Sequence, residues 1–196
     1  MKIVLTGGPS AGKTSLAQVL TRTYAEEINI VPEAASILFS GGFPRGSQAE
    51  SIKCQQRAIY HVQRELEAVT KLESGARALI CDRGSLDGLA YWPGTEAEFF
   101  AAVNSNMDKE IARYDWVMHL ETAEKANYKN SNVRTENSEQ GHEINERVKA
   151  AWKRHPKRII IPNSSDFPTK IRLAIQILRA ILQNQDLETV QKLAKP

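Results

Sequence analysis

The chain has 196 residues, 41% of them hydrophobic and 25% charged, the proportions of one soluble globular domain with room for a sizeable core. With 26 Lys and Arg against 23 Asp and Glu, the net charge of +3 is too mild to predict a nucleic-acid surface, although it does not exclude one. No apolar run approaches the ~18 residues of a membrane span, and neither Cys54 nor Cys81 has a metal-ligand spacing, so membrane, metal-cluster and disulfide-scaffold classes fall away.

Short apolar runs alternate with helical patterns, which predicts an α/β domain with a parallel sheet between helix layers. Residues 2–6 read as the first strand and 13–26 as its helix. A second strand follows at 28–31, and Pro32-Glu33 opens a short helical piece to about Phe39. Gly41, Gly42, Pro44 and Gly46 mark a loop. Ser47-x-x-Glu50 has the form of a capping box. It opens a long helix with Ile52, Ile59, Val62, Leu66, Val69 and Leu72 on one face, closed by Ser74-Gly75. Residues 76–81 are apolar enough for a central strand. Residues 96–113 are helical in two pieces, and 116–120 form the fourth strand. Residues 121–136 are rich in Asn and Lys and lack apolar periodicity. Helical pattern returns over 137–154, with Ile144, Val148 and Trp152 on one stripe, and stops at His155-Pro156. The fifth strand is 158–161. Pro168 suits the first turn of a last long helix, with Ile171, Ile175, Leu178 and Leu182 inward, and 186–194 is a short helical tail.

Between the first strand and its helix stands Gly7-Gly8-Pro9-Ser10-Ala11-Gly12-Lys13-Thr14, a complete G-x-x-x-x-G-K-[ST] phosphate loop in the strand–loop–helix context that the motif requires. Gly7 and Gly12 let the backbone turn successive N–H groups toward one anion. Residues from Gly7 through Lys13, Thr14 and Ser15 are therefore expected to cradle the phosphates of ATP or GTP at the positive end of the helix dipole. Lys13 reaches the β- and γ-phosphates, and the Thr14 hydroxyl ligates Mg²⁺. A loop this early leaves no room for a signal peptide, so the expected location is cytoplasmic.

Ligands of open α/β sheets sit beyond the carboxyl ends of the strands. Two acids fall there, Glu33 after the second strand and Asp82 after the third. Asp82 can hold Mg²⁺ or take a proton from an attacking hydroxyl; the plainer alternative is a helix cap near Gly84 with Arg83 as its surface partner. Glu33 is an equal candidate to orient and deprotonate the acceptor hydroxyl, so which of the two acids is the base stays open; its plainer alternative is an ordinary first-turn acid.

Val31-Pro32-Glu33 and Asp82-Arg83 are similar to the matching segments of deoxynucleoside and thymidylate kinases. A narrower resemblance rests on Val31-Pro32-Glu33-Ala34-Ala35, Gln56-Arg57-Ala58-Ile59, Asp82-Arg83-Gly84-x-x-Asp87-Gly88-x-Ala90-Tyr91, Val133-Arg134-x-Glu136 and Trp152-x-x-His155-Pro156. With these segments the chain resembles the AAA_28 group of phosphate-loop NTPases. That group also covers nicotinamide-riboside-kinase-like domains and the nucleotide-binding half of a photoreceptor-trafficking protein. The resemblance implies a three-layer α/β/α fold with a five-stranded parallel sheet in the kinase-like order 2-3-1-4-5. It leaves the substrate open.

Kinases of this build close a lid that brings an arginine to the transferring phosphoryl group. The lid is expected over about 121–147 of a single domain, 1–196, with Lys125, Lys129 and Arg134 in it and Arg147 beside it; Arg134 is the preferred lid arginine. On the acceptor side, Arg45, Gln55, Gln56, Arg57, Tyr60 and Trp92 are candidates to pair with or stack on a base. The expected function is an ATP-dependent kinase for a small nucleoside- or nucleotide-like acceptor, with Lys13, Asp82, Glu33, Arg83 and Arg134 as catalytic residues. Thr14 and Asp82 hold the metal. A nucleotide-dependent switch or ATPase acting on a protein partner and a polynucleotide-end kinase are the alternatives. No membrane partner is expected, and the oligomeric state is open.

Overall fold

The computed structural model describes residues 1–75, 77–122, 138–164 and 166–194. Five parallel strands form one sheet: β1 (Lys2–Thr6), β2 (Ile28–Val31), β3 (Ala78–Asp82), β4 (Trp116–Leu120) and β5 (Arg158–Ile161). Their spatial order is β2-β3-β1-β4-β5, which puts β1 at the centre between β3 and β4. Because successive strand residues face opposite sides, the three central strands feed two cores. Ile3, Leu5, Ile80, Met118 and Leu120 face one, Val4, Leu79, Cys81 and Val117 the other.

The first core is covered by α1 (Lys13–Thr23), α8 (Phe167–Leu182) and α9 (Leu187–Leu193). Helices α3 (Ala49–Glu73), α4 (Asp87–Tyr91), α5 (Glu96–Val103), α6 (Met107–Ile111) and α7 (Ser138–Ala151) cover the second, around the buried rings of Tyr60, Phe99 and Trp152. A short α2 (Ala34–Ser40) follows β2. Among the described residues no helix is long and apolar enough to cross a membrane.

Several boundaries differ from the sequence reading. Helix α1 stops at Thr23, where Tyr24 leaves helical geometry at φ −124°. The cap before α3 is Gln48, without a side-chain bond, so Ser47-x-x-Glu50 is no capping box. The capping box belongs to Thr95 and Glu98, where the Thr95 hydroxyl accepts from the Glu98 N–H and the Thr95 N–H donates to Glu98 Oε2. Val69 and Leu72, expected inward, are 50% and 83% exposed, because α3 outruns the sheet that it covers. The helix α4 directly after Gly84-Ser85-Leu86 is an addition.

Candidate active site

The phosphate loop spans the gap between β1 and α1. Gly7 (φ +129°) and Gly12 (φ +96°) both lie in the region that favours glycine. A Cβ on Gly7 would stand 2.0 Å from the Leu120 carbonyl oxygen, and one on Gly12 2.5 Å from the Phe167 ring. Helix α1 then opens at Lys13, with Thr14 and Ser15 exposed at its N-terminus. The Lys13 side chain is folded back, its Nζ donating to Gly7 O at 2.9 Å and Gly8 O at 2.8 Å. Burial pulls its pKa from 10.5 down to about 7, and Arg83 pushes the same way against Asp82, Glu33 and Asp87.

Glu33 follows Pro32 at the carboxyl end of β2. Burial opposes its ionisation, yet Arg83, the Ser36 hydroxyl and Lys13 outweigh burial and hold it at about 2. Arg83 Nε donates to its Oε1 at 2.5 Å, and the Ser36 hydroxyl donates to its Oε2. Asp82 ends β3 and behaves in the opposite way. Burial raises its pKa, and the neighbouring Lys13 and Arg83 only partly offset that. Its Oδ1 is buried without a hydrogen-bond partner among the described residues.

Arg83 itself sits at φ +75°, which swings the side chain inward. It is therefore not a surface partner of Asp82. Its Nη1 donates to Asp87 Oδ2 at 3.0 Å and to Gly7 O at 3.3 Å. Asp87, in the first turn of α4, is a hub that the sequence reading left without a role. It also accepts from the Thr6 hydroxyl at 2.8 and 2.9 Å and from Trp152 Nε1 at 2.6 Å. The turn between Arg83 and Asp87 passes so near Trp152 that a Cβ on Gly84 would be 2.6 Å from the indole.

Lys13, Thr14, Glu33, Asp82, Arg83 and Asp87 line one cavity of about 940 Å³ together with Arg45, Gln55, Gln56, Tyr60, Gln63 and Tyr91. Gln55 Nε2 donates to Gly46 O at 2.8 Å and so ties the loop before α3 to that helix. Gln56, the next residue of α3, is buried in the same wall. The Tyr60 hydroxyl donates to Glu110 at 2.7 Å, which fixes its ring as cavity wall. Two sequence candidates are elsewhere. Arg57 turns to Cys54 Sγ at 3.2 Å, and Trp92 is buried edge-on against Phe99, with centroids 5.4 Å apart. Arg147 donates to Trp92 O at 3.0 Å and is not part of the cavity lining. Arg134, Lys125, Lys129 and most of the expected lid lie outside the described residues.

Among the described residues no cluster of three or more His, Cys, Asp or Glu could hold a metal ion unaided. The exposed Thr14 hydroxyl and the unpartnered Asp82 oxygen line the same cavity, however, and such a sparse all-oxygen set suits Mg²⁺ that arrives with phosphate ligands of its own.

A family model described as an AAA domain, AAA_28, matches residues 2–170. Among solved structures, deoxyadenosine kinase from M. mycoides with bound dATP is similar, at 15% identity and a TM-score of 0.63, over 91% of this chain and 100% of that one. The same kinase with products dCMP and a flexible dCDP bound is similar at 15% identity and a TM-score of 0.58, over 92% and 100%. At that identity the likeness shows a shared fold. A search of curated proteins found no match.

Proposed function

The chain belongs to the AAA_28 family of AAA domains, and from that premise we propose that it is an ATP-dependent kinase acting on a hydroxyl of a small nucleoside- or nucleotide-like acceptor. The observation that carries this reading is the cavity. Lys13 and Thr14, which would meet a triphosphate, share its walls with three acids, two arginines and the amides of Gln55, Gln56 and Gln63. A nucleotide held by Lys13 and Thr14 accounts for the phosphate-loop part of the cavity, whereas an acceptor accounts for the part walled by Gln55, Gln56, Tyr60 and Gln63 of α3. A polynucleotide-end kinase would need a basic groove beside Arg45 and Arg57, and Arg57 points away from the cavity to Cys54.

In this reading Lys13 leaves the Gly7 and Gly8 carbonyls for the β- and γ-phosphates. Thr14 and, through water, Asp82 would hold Mg²⁺, which when bound neutralises charge on the β- and γ-oxygens. The two acids divide the acceptor work. Glu33 is ionised but bound on both oxygens, so it orients the hydroxyl with its remaining lone pairs. Asp82, with its raised affinity for a proton and a bare oxygen, receives the proton. Arg83 meets the charge on the transferring group from its perch between Glu33 and Asp87. Arg134 is proposed as a second cation.

The test is a thermal-shift panel of nucleosides, nucleotides and riboside vitamins, each with Mg²⁺ and a non-hydrolysable ATP analogue. One acceptor class should add to the stabilisation given by the analogue alone. If none does, the acceptor half of the proposal is wrong.

A further inference from the structure

The peptide between Gly7 and Gly8 is held at both polar ends. Its carbonyl, on Gly7, accepts from Lys13 Nζ at 2.9 Å and from Arg83 Nη1 at 3.3 Å. Its N–H, on Gly8, donates to Asn145 Oδ1 at 3.0 Å. Asn145 is a buried residue of α7, far along the chain. Both flanking positions require glycine. Gly7 is blocked by the Leu120 carbonyl, and a Cβ on Gly8 would stand 2.3 Å from Thr122 Oγ1 and 2.8 Å from Asn145 Cβ. Two successive glycines give the peptide between them little preference of its own for one orientation. A group outside the loop has to set it.

The Asn145 amide fits only one way round. Its Nδ2 donates to Glu121 Oε2 at 2.9 Å, so Oδ1 faces Gly8 and, at 3.0 Å, His119 Nε2. Glu121 is itself held by Lys149 Nζ at 2.5 Å. Burial takes His119 down to about 4, so its ring is neutral near pH 7 and Nε2 carries the hydrogen that Oδ1 accepts. A flipped Gly7–Gly8 peptide would set the Gly7 oxygen against Asn145 Oδ1 and aim an N–H at two cations. Both changes are repulsive.

We propose that Asn145 is a positioning residue of the phosphate site. By fixing the Gly7–Gly8 peptide it fixes the carbonyl on which Lys13 and Arg83 converge in the empty site, and with it the course of the phosphate loop that a triphosphate enters. The proposal rests on reading the loop as a triphosphate site. Asn145 acts through the peptide and touches no phosphate itself.

The test uses the full chain with four changes: Glu121→Gln, Asn145→Leu, Asn145→Asp and Asn145→Asp with Glu121→Gln. Calorimetry reads the affinity for Mg²⁺ with a non-hydrolysable ATP analogue, and NMR reads hydrogen exchange at the Gly8 amide without ligand. Asn145→Leu removes the acceptor, so Gly8 exchange accelerates and affinity falls about tenfold or more. Asn145→Asp sets a carboxylate beside Glu121, is repelled from its place and loses affinity too. Adding Glu121→Gln replaces that repulsion with an amide that donates to the new carboxylate. The pair keeps an acceptor on Gly8 and returns affinity to within about threefold of Glu121→Gln alone. Asn145→Leu binding within about threefold of wild type overturns the proposal. If that variant does not fold, equal affinity of Asn145→Asp with and without Glu121→Gln overturns it instead. A wild type that does not bind the analogue refutes the triphosphate reading, and Gly8 exchange then decides the role of Asn145.

Discussion

Arg83 bypasses its chain neighbour Asp82 and binds Glu33, with Nε 2.5 Å from Oε1. The left-handed backbone at Arg83 makes this reach, and it separates two acids that line the same cavity. Glu33, paired, is held at about 2; Asp82, buried with a bare oxygen, is raised. Acids pushed apart in this way can take different tasks in one reaction.

Asp82→Asn follows from that division. Asn keeps the shape and loses the charge, so turnover should fall about 100-fold or more while triphosphate affinity stays within about threefold. In the wild type the deprotonated acid is the working form. The rate should therefore rise with pH through a limb above the ordinary carboxylate range, and that limb should vanish in the variant. Steady-state kinetics across pH decide it; a variant within about threefold of wild-type turnover removes Asp82 from the chemistry.

Lys13, at about 7, is only partly charged in the empty protein near neutral pH. Triphosphate restores its proton, so binding should take up a proton and weaken as pH rises above 7. Calorimetry in buffers of different ionisation heat measures the uptake. The same depression makes the unfolded chain bind more protons between about 7 and 10.5, so Lys13 makes the empty protein gain stability as pH rises through that window. Lys13→Ala should stay folded, lose tight binding and lose the proton uptake. Unchanged ATP affinity in the variant would count against any phosphate role.

Gly84→Ala tests the packing beneath Arg83. The new methyl would press on the Trp152 indole, so the change should cost about 1–3 kcal/mol in urea denaturation. A cost below about 0.5 kcal/mol would mean that the turn and the Trp152 indole part easily.

Much of this site was legible because its signals are local. Gly7 to Thr14 is a contiguous motif, and Glu33 and Asp82 end strands whose apolar runs stand out in the sequence. Asp87 falls inside the Asp82-Arg83-Gly84 motif, yet the sequence assigns it no role, since its partners Thr6 and Trp152 lie 81 and 65 positions away. An acid four residues after Arg83 was the one local hint. Asn145 gave none, because its bond to Gly8 crosses 137 positions. Ser47 and Thr95 both begin S/T-x-x-E segments, and only the position at which the chain turns into helix tells which one caps.

Glu33→Gln separates a kinase from a switch. The change removes the charge that orients the acceptor, but Asp87 still holds Arg83, and Lys13, Thr14 and Asp82 stay in place. Phosphoryl transfer should fall about 100-fold or more, while basal ATP hydrolysis stays within about threefold, since water still reaches the γ-phosphate. In a switch Glu33 has no acceptor to meet, and both hydrolysis and nucleotide affinity should survive its loss. Two acids beside the phosphate loop favour the kinase outcome, because hydrolysis alone needs only the one near the metal. Mass spectrometry of products from a nucleoside and nucleotide panel, with wild type and Glu33→Gln side by side, reads both activities. A wild type that hydrolyses ATP and phosphorylates nothing in the panel would assign the protein to the switches, and the cavity behind Glu33 would then need an occupant other than an acceptor.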